Sequence, residues 1–197
     1  MAKVKICGLR RHEDIEIVNT YLPDYVGFII NYPKSFRSVN VLQVKEMVRE
    51  LDPSIQAVGV FVDESIENVI ECIKETGIDL VQLHGHESYD YIKILQQYVP
   101  VIKAFVIQDE RDIDIALKSP ADYILLDQGK GSGKTFDWSL VPKIERPFFL
   151  AGGITLDNVE KTKGLKPYGI DVSSSVETER VKDKEKVKLM IEKGKMV

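Results

Sequence analysis

Short apolar segments rich in β-branched residues recur at near-regular intervals along the 197-residue chain, and they constrain its fold more than any other feature. Segments of this length and composition predict β-strands. Between them lie segments with apolar residues at helical spacing, such as Val41, Val44 and Val48, whose polar neighbours fill the opposite face. We predict eight strands, at residues 4–7, 25–30, 57–62, 79–84, 100–106, 122–127, 147–152 and 169–174.

An uninterrupted alternation of strand and helix predicts parallel strands joined by crossover helices. Eight such units close a (β/α)8 TIM barrel, so we predict an α/β fold of this type, with one compact domain over residues 1–197 and short loops. The alternative is an open doubly wound sheet. Against it, no strand–turn–helix unit carries the G-x-G-x-x-G pattern, and no break in the alternation suggests a topological switch point.

Composition narrows the range of partners. The net charge of −4, from 27 basic and 31 acidic side chains, predicts no nucleic-acid partner, because nucleic acids normally require a clustered basic surface. No segment approaches the roughly 20 consecutive apolar residues of a membrane span. The N-terminal sequence MAKVKICGLR has no apolar run followed by a cleavage site, so we predict a cytoplasmic protein. The three histidines lack metal-ligand spacing, and we predict no metal site.

A glycine-rich stretch at residues 127–135, DQGKGSGKT, is similar to the phosphate loop G-x-x-x-x-G-K-[ST] of nucleotide-binding proteins. The first glycine of that pattern would fall at Gln128, so the motif is not satisfied. We interpret the glycines instead as a mobile loop that folds over a substrate, with Lys134 and Thr135 as loop residues and not nucleotide ligands.

A barrel of this type places its functional residues at the carboxyl ends of the strands, and the loops after strands 7 and 8 commonly bind phosphate. Here those strands end in LAGGI and DVSSSVE. Glycine lets the backbone approach a ligand closely, serine hydroxyls and amides donate to oxyanions, and a short helix start after strand 8 would add its dipole. We predict a phosphate site at Gly152, Gly153, Ser173 and Ser174. The alternative for the glycine pair is a tight turn.

Two strand ends carry candidates for proton transfer. Cys7 ends strand 1, and Lys5 lies on the same inward face, where an ammonium would favour the thiolate. Asp127 ends strand 6 and points inward, where burial would raise its pKa and favour the neutral acid. A thiolate base and a carboxylic acid would suit proton transfer on a sugar phosphate. The alternatives are a small buried cysteine and an aspartate that caps the following turn.

Other polar residues near the strand ends are candidates for substrate binding. Gln82 and His84 share the inward face of strand 4 and would orient a substrate, although His84 is equally compatible with a satisfied core position. Arg37, in the loop after strand 2, would hold a substrate carboxylate through two parallel hydrogen bonds.

Seven segments together resemble the phosphoribosylanthranilate isomerase family of tryptophan biosynthesis, in order and over nearly the whole chain: KICGLR, GFIINYPKSFR, VGVFVD, VQLHGHE, LLDQGKGSGKTFDW, LAGGIT and GIDVSSSVE. The resemblance implies a single-domain (β/α)8 barrel that converts N-(5-phosphoribosyl)anthranilate to 1-(2-carboxyphenylamino)-1-deoxyribulose 5-phosphate by an Amadori rearrangement, without a cofactor. It implies that Asp127 is the general acid, that Cys7 is the general base, and that Arg37 binds the anthranilate carboxylate. The predicted partner is a small phosphoribosyl molecule, and the chain is predicted to be a monomer or a homodimer.

The chain departs from the family pattern at two positions. Phe36 stands where the family usually has proline, which predicts a less rigid loop around Arg37. Ser175 stands where the family usually has glycine, which predicts strain in the phosphate loop if that position requires a positive φ.

Rival functions stay open at this level. An isomerase of histidine biosynthesis would carry aspartates at the ends of strands 1 and 5, where this chain has Cys7 and an apolar segment. Indole-glycerol-phosphate synthase would require a lysine and a glutamate, and Lys103 has no obvious partner in the sequence. A phosphoribosyl-ligand sensor would bind without turnover, and a thiol-redox protein would require a resolving cysteine near Cys7, for which Cys72 on a predicted helix is a poor candidate.

Overall fold

The computed structural model describes residues 1–128 and 138–197, which form a closed barrel of eight parallel strands. Each strand pairs with the next along the chain, and the last pairs with the first, as predicted from the alternation of strand and helix. The observed bounds agree with the predicted strands to within two residues. The strands are β1 (Lys3–Cys7), β2 (Tyr25–Ile30), β3 (Gln56–Phe61), β4 (Leu80–Leu83), β5 (Val101–Val106), β6 (Tyr123–Asp127), β7 (Phe148–Leu150) and β8 (Gly169–Val172).

Helices cover the outside of the barrel, but their type changes along the chain. The α-helices are α1 (His12–Tyr21), α2 (Val41–Glu50), α3 (Ile66–Thr76), α4 (Tyr89–Leu95), α5 (Glu110–Leu117) and α6 (Lys184–Gly194). In the part of the chain that the structure describes, β6 and β7 are followed by the 3-10 helices Trp138–Lys143 and Val159–Leu165. None of the helices in residues 1–128 and 138–197 has the length and apolar character that crossing a membrane requires.

The start of α2 illustrates how local sequence sets these elements and the loops between them. The backbone N–H of Gln43 donates to the side chain of Asn40, and the backbone N–H of Asn40 donates to the side chain of Gln43, at 2.9 Å each. This capping box satisfies two amides at the helix start that have no partner within the helix. Because α2 begins at a fixed residue, the preceding loop, which carries Arg37, has a fixed end.

Strand alternation divides the apolar residues into two cores. One core lies between the sheet and the helices, and the other fills the interior of the barrel. The interior core centres on Phe149, whose ring makes edge-to-face contacts with Tyr25 and Tyr168 at centroid distances of 5.5 and 5.4 Å. Gly169 is required beside it, since a Cβ there would lie 2.6 Å from the Phe149 ring. The interior core consists of Tyr25, Val58, Leu80, Ile102, Ala104, Leu125, Phe149 and Ala151.

Truncation of the central aromatic ring tests this description of the interior. Phe149→Ala is expected to lower the free energy of unfolding by about 3–5 kcal/mol, because it removes a fully buried ring and leaves a cavity. Tyr98→Ala is the control, since Tyr98 is 45% exposed and its loss should cost much less. Equilibrium unfolding in urea measures both values, and equal effects of the two substitutions would contradict the proposed centre of the core.

Candidate active site

The carboxyl ends of the strands surround a cavity of about 490 Å³, which we call the mouth cavity. All nine residues that the sequence analysis selected contribute to its wall, although they come from loops and strands spread over the whole chain. They are Cys7, Arg37, Gln82, His84, Asp127, Gly152, Gly153, Ser173 and Ser174. A cavity of this size is in the range of small-molecule sites.

A buried ion pair forms the floor of the mouth cavity on the β1 and β8 side. Lys5 has no exposed surface, and its Nζ donates to Oδ2 of Asp171 at 2.9 Å and to Oε1 of Gln82 at 2.8 Å. Burial opposes the charge on Lys5, but the interactions with Asp171 and Cys7 together outweigh burial and raise the pKa of the lysine. Lys5 is therefore an ammonium at neutral pH.

Asp171 is a residue of the site that the sequence analysis missed. Its position two residues from Gly169 and from Ser173 puts it on the inward face of β8. It lies opposite Lys5 in the register of β1 and β8. The signal was available, because a lysine on the inward face of a strand requires a counter-charge from a neighbouring strand.

The Cys7 thiol lies at the edge of this ion pair and is 8% exposed. Burial raises the pKa of Cys7, and the nearby charge of Lys5 only partly counteracts that rise. Lys5 lowers the pKa of Cys7, as predicted, but burial raises it by more, so the neutral thiol predominates. Gly27 leaves the space that the sulfur uses, since a Cβ at that position would lie 2.7 Å from Sγ.

A chain of polar contacts crosses the mouth cavity from Lys5 to Asp127. Nε2 of Gln82 lies 3.1 Å from Nδ1 of His84, and Nε2 of His84 lies 3.3 Å from Oδ2 of Asp127. The other carboxylate oxygen, Oδ1 of Asp127, faces Gly152, where a Cβ would lie 2.6 Å from it. Gln82 is only 1% exposed, and its amide contacts Lys5 and His84. These contacts do not support the predicted direct role of Gln82 in orienting a substrate.

Arg37 lies at the mouth cavity as predicted, but the edge of its guanidinium group formed by Nε and Nη2 already binds another side chain. Its Nε and Nη2 donate to the two carboxylate oxygens of Glu177 at 2.7 and 2.6 Å. Nζ of Lys182, which is 4% exposed, donates to the same carboxylate at 2.8 Å. Burial opposes ionisation of Glu177, but the hydrogen bonds from Arg37 and Lys182 outweigh it and lower the pKa of the carboxyl group.

Glu177 and Lys182 are further residues that the sequence analysis missed. They lie on a small hairpin after β8, formed by Glu177–Thr178 and Val181–Lys182. No motif in the sequence indicates that this hairpin folds back onto the loop after β2, so no local signal would have identified them.

Both departures from the family pattern have a structural answer. The Phe36 ring lies 4.1 Å from Cζ of Arg37, and the guanidinium groups of Arg10 and Arg180 lie 5.8 and 5.2 Å from the same ring. Arg37 is thus held by stacking on Phe36 and by Glu177, which offsets the loss of the rigid proline. Ser175 does not have a positive φ, so the strain predicted for a serine there does not arise.

The loops after β7 and β8 form the end of the mouth cavity where we predicted phosphate. Gly152 and Gly153 both have positive φ, at 78° and 69°, which favours glycine. The Ser173 hydroxyl donates to the carbonyl oxygen of Cys7 at 3.0 Å, so it joins the loop after β8 to the end of β1. The predicted helix start after strand 8 is a 3-10 turn of three residues, Ser174–Val176, and its dipole is correspondingly small.

Two other predictions concern metals and the glycine-rich loop. Within residues 1–128 and 138–197, no group of three or more His, Cys, Asp or Glu side chains could hold a metal ion. Residues 129–137, which contain most of the glycine-rich loop with Lys134 and Thr135, lie outside the described residues.

Alkylation of Cys7 tests the electrostatics of this site. Lys5→Met is expected to move the pH dependence of Cys7 alkylation by iodoacetamide to higher pH, because it removes the ammonium that stabilises the thiolate and leaves Asp171 nearby. Lys3→Met is the matched control on the same strand, since Lys3 is half-exposed and pairs with Asp24. Mass spectrometry of the Cys7 peptide measures the rate.

Cys72 is the internal reference for that experiment, because burial raises its pKa to about 11. An unchanged alkylation profile of Cys7 in Lys5→Met, with a normal thermal unfolding curve, would show that Lys5 does not influence the thiol.

Comparison with known proteins shows which family the chain belongs to. The family model described as N-(5'-phosphoribosyl)anthranilate (PRA) isomerase matches residues 4–193. The chain is 43% identical over 201 residues to the N-(5'-phosphoribosyl)anthranilate isomerase of Clostridium acetobutylicum, covering 97% of each chain. It is 45% identical over 197 residues to the enzyme of the same name from Clostridium kluyveri, covering 98% of each chain.

Solved structures show the same relationship. The phosphoribosyl anthranilate isomerase of Thermotoga maritima superposes with a TM-score of 0.93 at 36% identity and full coverage of both chains. A phosphoribosyl anthranilate isomerase in complex with reduced 1-(o-carboxyphenylamino)-1-deoxyribulose 5-phosphate superposes with a TM-score of 0.91 at 35% identity, again over both full chains. The chain therefore belongs to the N-(5'-phosphoribosyl)anthranilate isomerase family.

Proposed function

We propose that this chain converts N-(5'-phosphoribosyl)anthranilate to 1-(2-carboxyphenylamino)-1-deoxyribulose 5-phosphate, an aldose–ketose type isomerisation in tryptophan biosynthesis. The observation that carries the proposal is the presence of an acid, Asp127, and a thiol, Cys7, in one cavity with the glycine and serine loops after β7 and β8. This combination is suited to acid–base chemistry on a phosphorylated sugar, and family membership supports the substrate.

In the first step, Asp127 protonates the ring oxygen of the ribose. The C1–O bond breaks, the ring opens, and the electron pair of the anthranilate nitrogen forms the C=N bond of a protonated Schiff base. The positive charge on nitrogen then acidifies the C2 proton.

In the second step, Cys7 as thiolate removes the C2 proton, and the electron pair moves to give an enolamine. The enolamine tautomerises: its C2 hydroxyl loses a proton and becomes the ketone, and C1 gains a proton. Because burial raises the pKa of Cys7, formation of the thiolate requires a nearby positive charge. The cationic Schiff base is a suitable counter-charge.

The phosphate and the carboxylate of the substrate are assigned to different sides of the mouth cavity. We assign the phosphate to Gly152, Gly153, Ser173 and Ser174, whose loops offer backbone amides and a close approach. We assign the anthranilate carboxylate to Arg37. Since Glu177 occupies Nε and Nη2 of Arg37, the carboxylate contacts the remaining nitrogen, Nη1, and not the two-pronged edge expected from the sequence.

The rival barrel enzymes fit the site less well. The lysine and glutamate of an indole-glycerol-phosphate synthase have a counterpart in Lys103 and Glu87, which pair at 3.0 Å. However, Lys103 alternates with interior residues Ile102 and Ala104 on β5, and its Nζ also donates to the carbonyl oxygen of Gly85. This pair supports the loop after β4 and is not the centre of the mouth cavity.

The proposed reaction draws on side chains of this chain and on a small phosphoribosyl molecule, with no cofactor. One relative from Thermotoga maritima is described as dimeric, with mutually generated monomers, and the oligomeric state of this chain stays a prediction. Its location in the cytoplasm stays a prediction as well.

Substitution of the acid and the base tests the proposal. Cys7→Ser and Asp127→Asn are each expected to lower kcat by about 100-fold or more, because each removes one proton-transfer group. The measurement is the loss of substrate fluorescence or absorbance with freshly generated phosphoribosylanthranilate. Cys72→Ser and Asp90→Asn are matched controls, since Cys72 is a buried residue of α3 and Asp90 is exposed on α4.

Near-normal turnover in Cys7→Ser or Asp127→Asn would remove that residue from the proposed mechanism. If the unaltered chain itself failed to turn over the substrate, the proposed function would be wrong for this chain.

A further inference from the structure

Hydrogen-bond donors and acceptors along the polar chain from Lys5 to Asp127 can be assigned one after another. The Lys5 ammonium can only donate, so the Gln82 atom 2.8 Å away must be the carbonyl oxygen Oε1. The amide nitrogen Nε2 of Gln82 then faces His84, and it can only donate. The amide of Gln82 is therefore fixed in one orientation by a buried charge.

This orientation determines the tautomer of His84. Nδ1 of His84 lies 3.1 Å from the donating amide nitrogen of Gln82, so Nδ1 must accept and carries no proton. The ring proton consequently sits on Nε2, which lies 3.3 Å from Oδ2 of Asp127. A doubly protonated His84 would place an N–H against the N–H of Gln82, and reversing the amide would place its nitrogen against the Lys5 ammonium.

The tautomer of His84 affects the carboxyl group of Asp127. Oδ2 faces an N–H donor, whereas Oδ1 faces Gly152 at the wall of the mouth cavity. A donor at one carboxylate oxygen stabilises the anion that remains after proton transfer and fixes the plane of the group. The contact with His84 therefore holds the carboxyl group of Asp127 at the wall of the mouth cavity.

We propose that Gln82 and His84 are positioning residues, which hold the carboxyl group of Asp127 where it delivers its proton to the ring oxygen of the substrate. This inference rests on the proposed function, because it takes Asp127 as the acid of that reaction. It replaces the sequence-based expectation that these two side chains orient the substrate directly. The buried amide of Gln82 acts through His84, and His84 acts through Asp127.

The tautomer can be measured directly in the unaltered chain. The chain has three histidines, so 15N labelling of their rings gives a sparse NMR spectrum. We expect His84 to show a protonated Nε2 and an unprotonated Nδ1 at neutral pH, with its signals assigned by their loss in His84→Gln. A protonated Nδ1 in the unaltered chain would overturn the proposal.

Kinetics separate positioning from substrate contact. His84→Leu is expected to lower kcat by about tenfold to a hundredfold, the scale of a misplaced catalytic group. Affinity for reduced 1-(o-carboxyphenylamino)-1-deoxyribulose 5-phosphate, the compound bound in the related structure, should change little. His84→Gln should recover most of the lost rate, because its longer amide can place an N–H near the position of Nε2. Gln82→Leu should lower kcat and abolish the tautomer preference of His84.

His86→Gln is the matched control, since the imidazole of His86 is exposed and lies 3.2 Å from Asp63 in an equivalent histidine–aspartate contact at the surface. An unchanged kcat in His84→Leu would overturn the proposal, as would an equal loss of analogue affinity and of kcat/KM with kcat intact. Absence of both turnover and analogue binding in the unaltered chain would instead contradict the proposed function. The NMR experiment would still decide the tautomer.

Discussion

The ammonium of Lys5 is the group on which the arrangement of the site depends. A charge with no exposed surface costs several kcal/mol unless it is paired and fully hydrogen-bonded. Asp171 provides the counter-charge and Gln82 provides a neutral acceptor, so the barrel carries one anion, one cation and one amide at the floor of its mouth cavity. The same ammonium influences Cys7 on one side and, through Gln82 and His84, reaches Asp127 on the other.

This connection gives the two proton-transfer groups different surroundings within one cavity. Cys7 lies in a buried position where the neutral thiol predominates, and the charge that favours its thiolate is shared with Asp171. Asp127 lies beside His84, whose Nε2 is 3.3 Å from Oδ2 of the aspartate. The two side chains therefore differ in burial and in the charged and polar groups that surround them.

A second cluster of charges joins the loop after β2 to the loop after β8. Glu177 accepts hydrogen bonds from Arg37 and Lys182, and Lys182 also donates to the backbone carbonyl of Ser173. The loop after β2 and the loop after β8 are therefore tied through one carboxylate. Stacking of Arg37 on Phe36 adds to this connection and explains how the chain tolerates phenylalanine in place of the usual proline.

The sequence by itself determined the eight strands and which of their residues face the interior, because side-chain direction in a strand follows from a local period of two. That local rule placed Cys7, Lys5 and Asp127 correctly. Only the tertiary structure decided which polar groups meet, since barrel closure joins Lys5 to Asp171 across 166 positions and Arg37 to Glu177 across 140. A side chain's direction is a property of its own strand, whereas its hydrogen-bond partner is a property of the closed barrel.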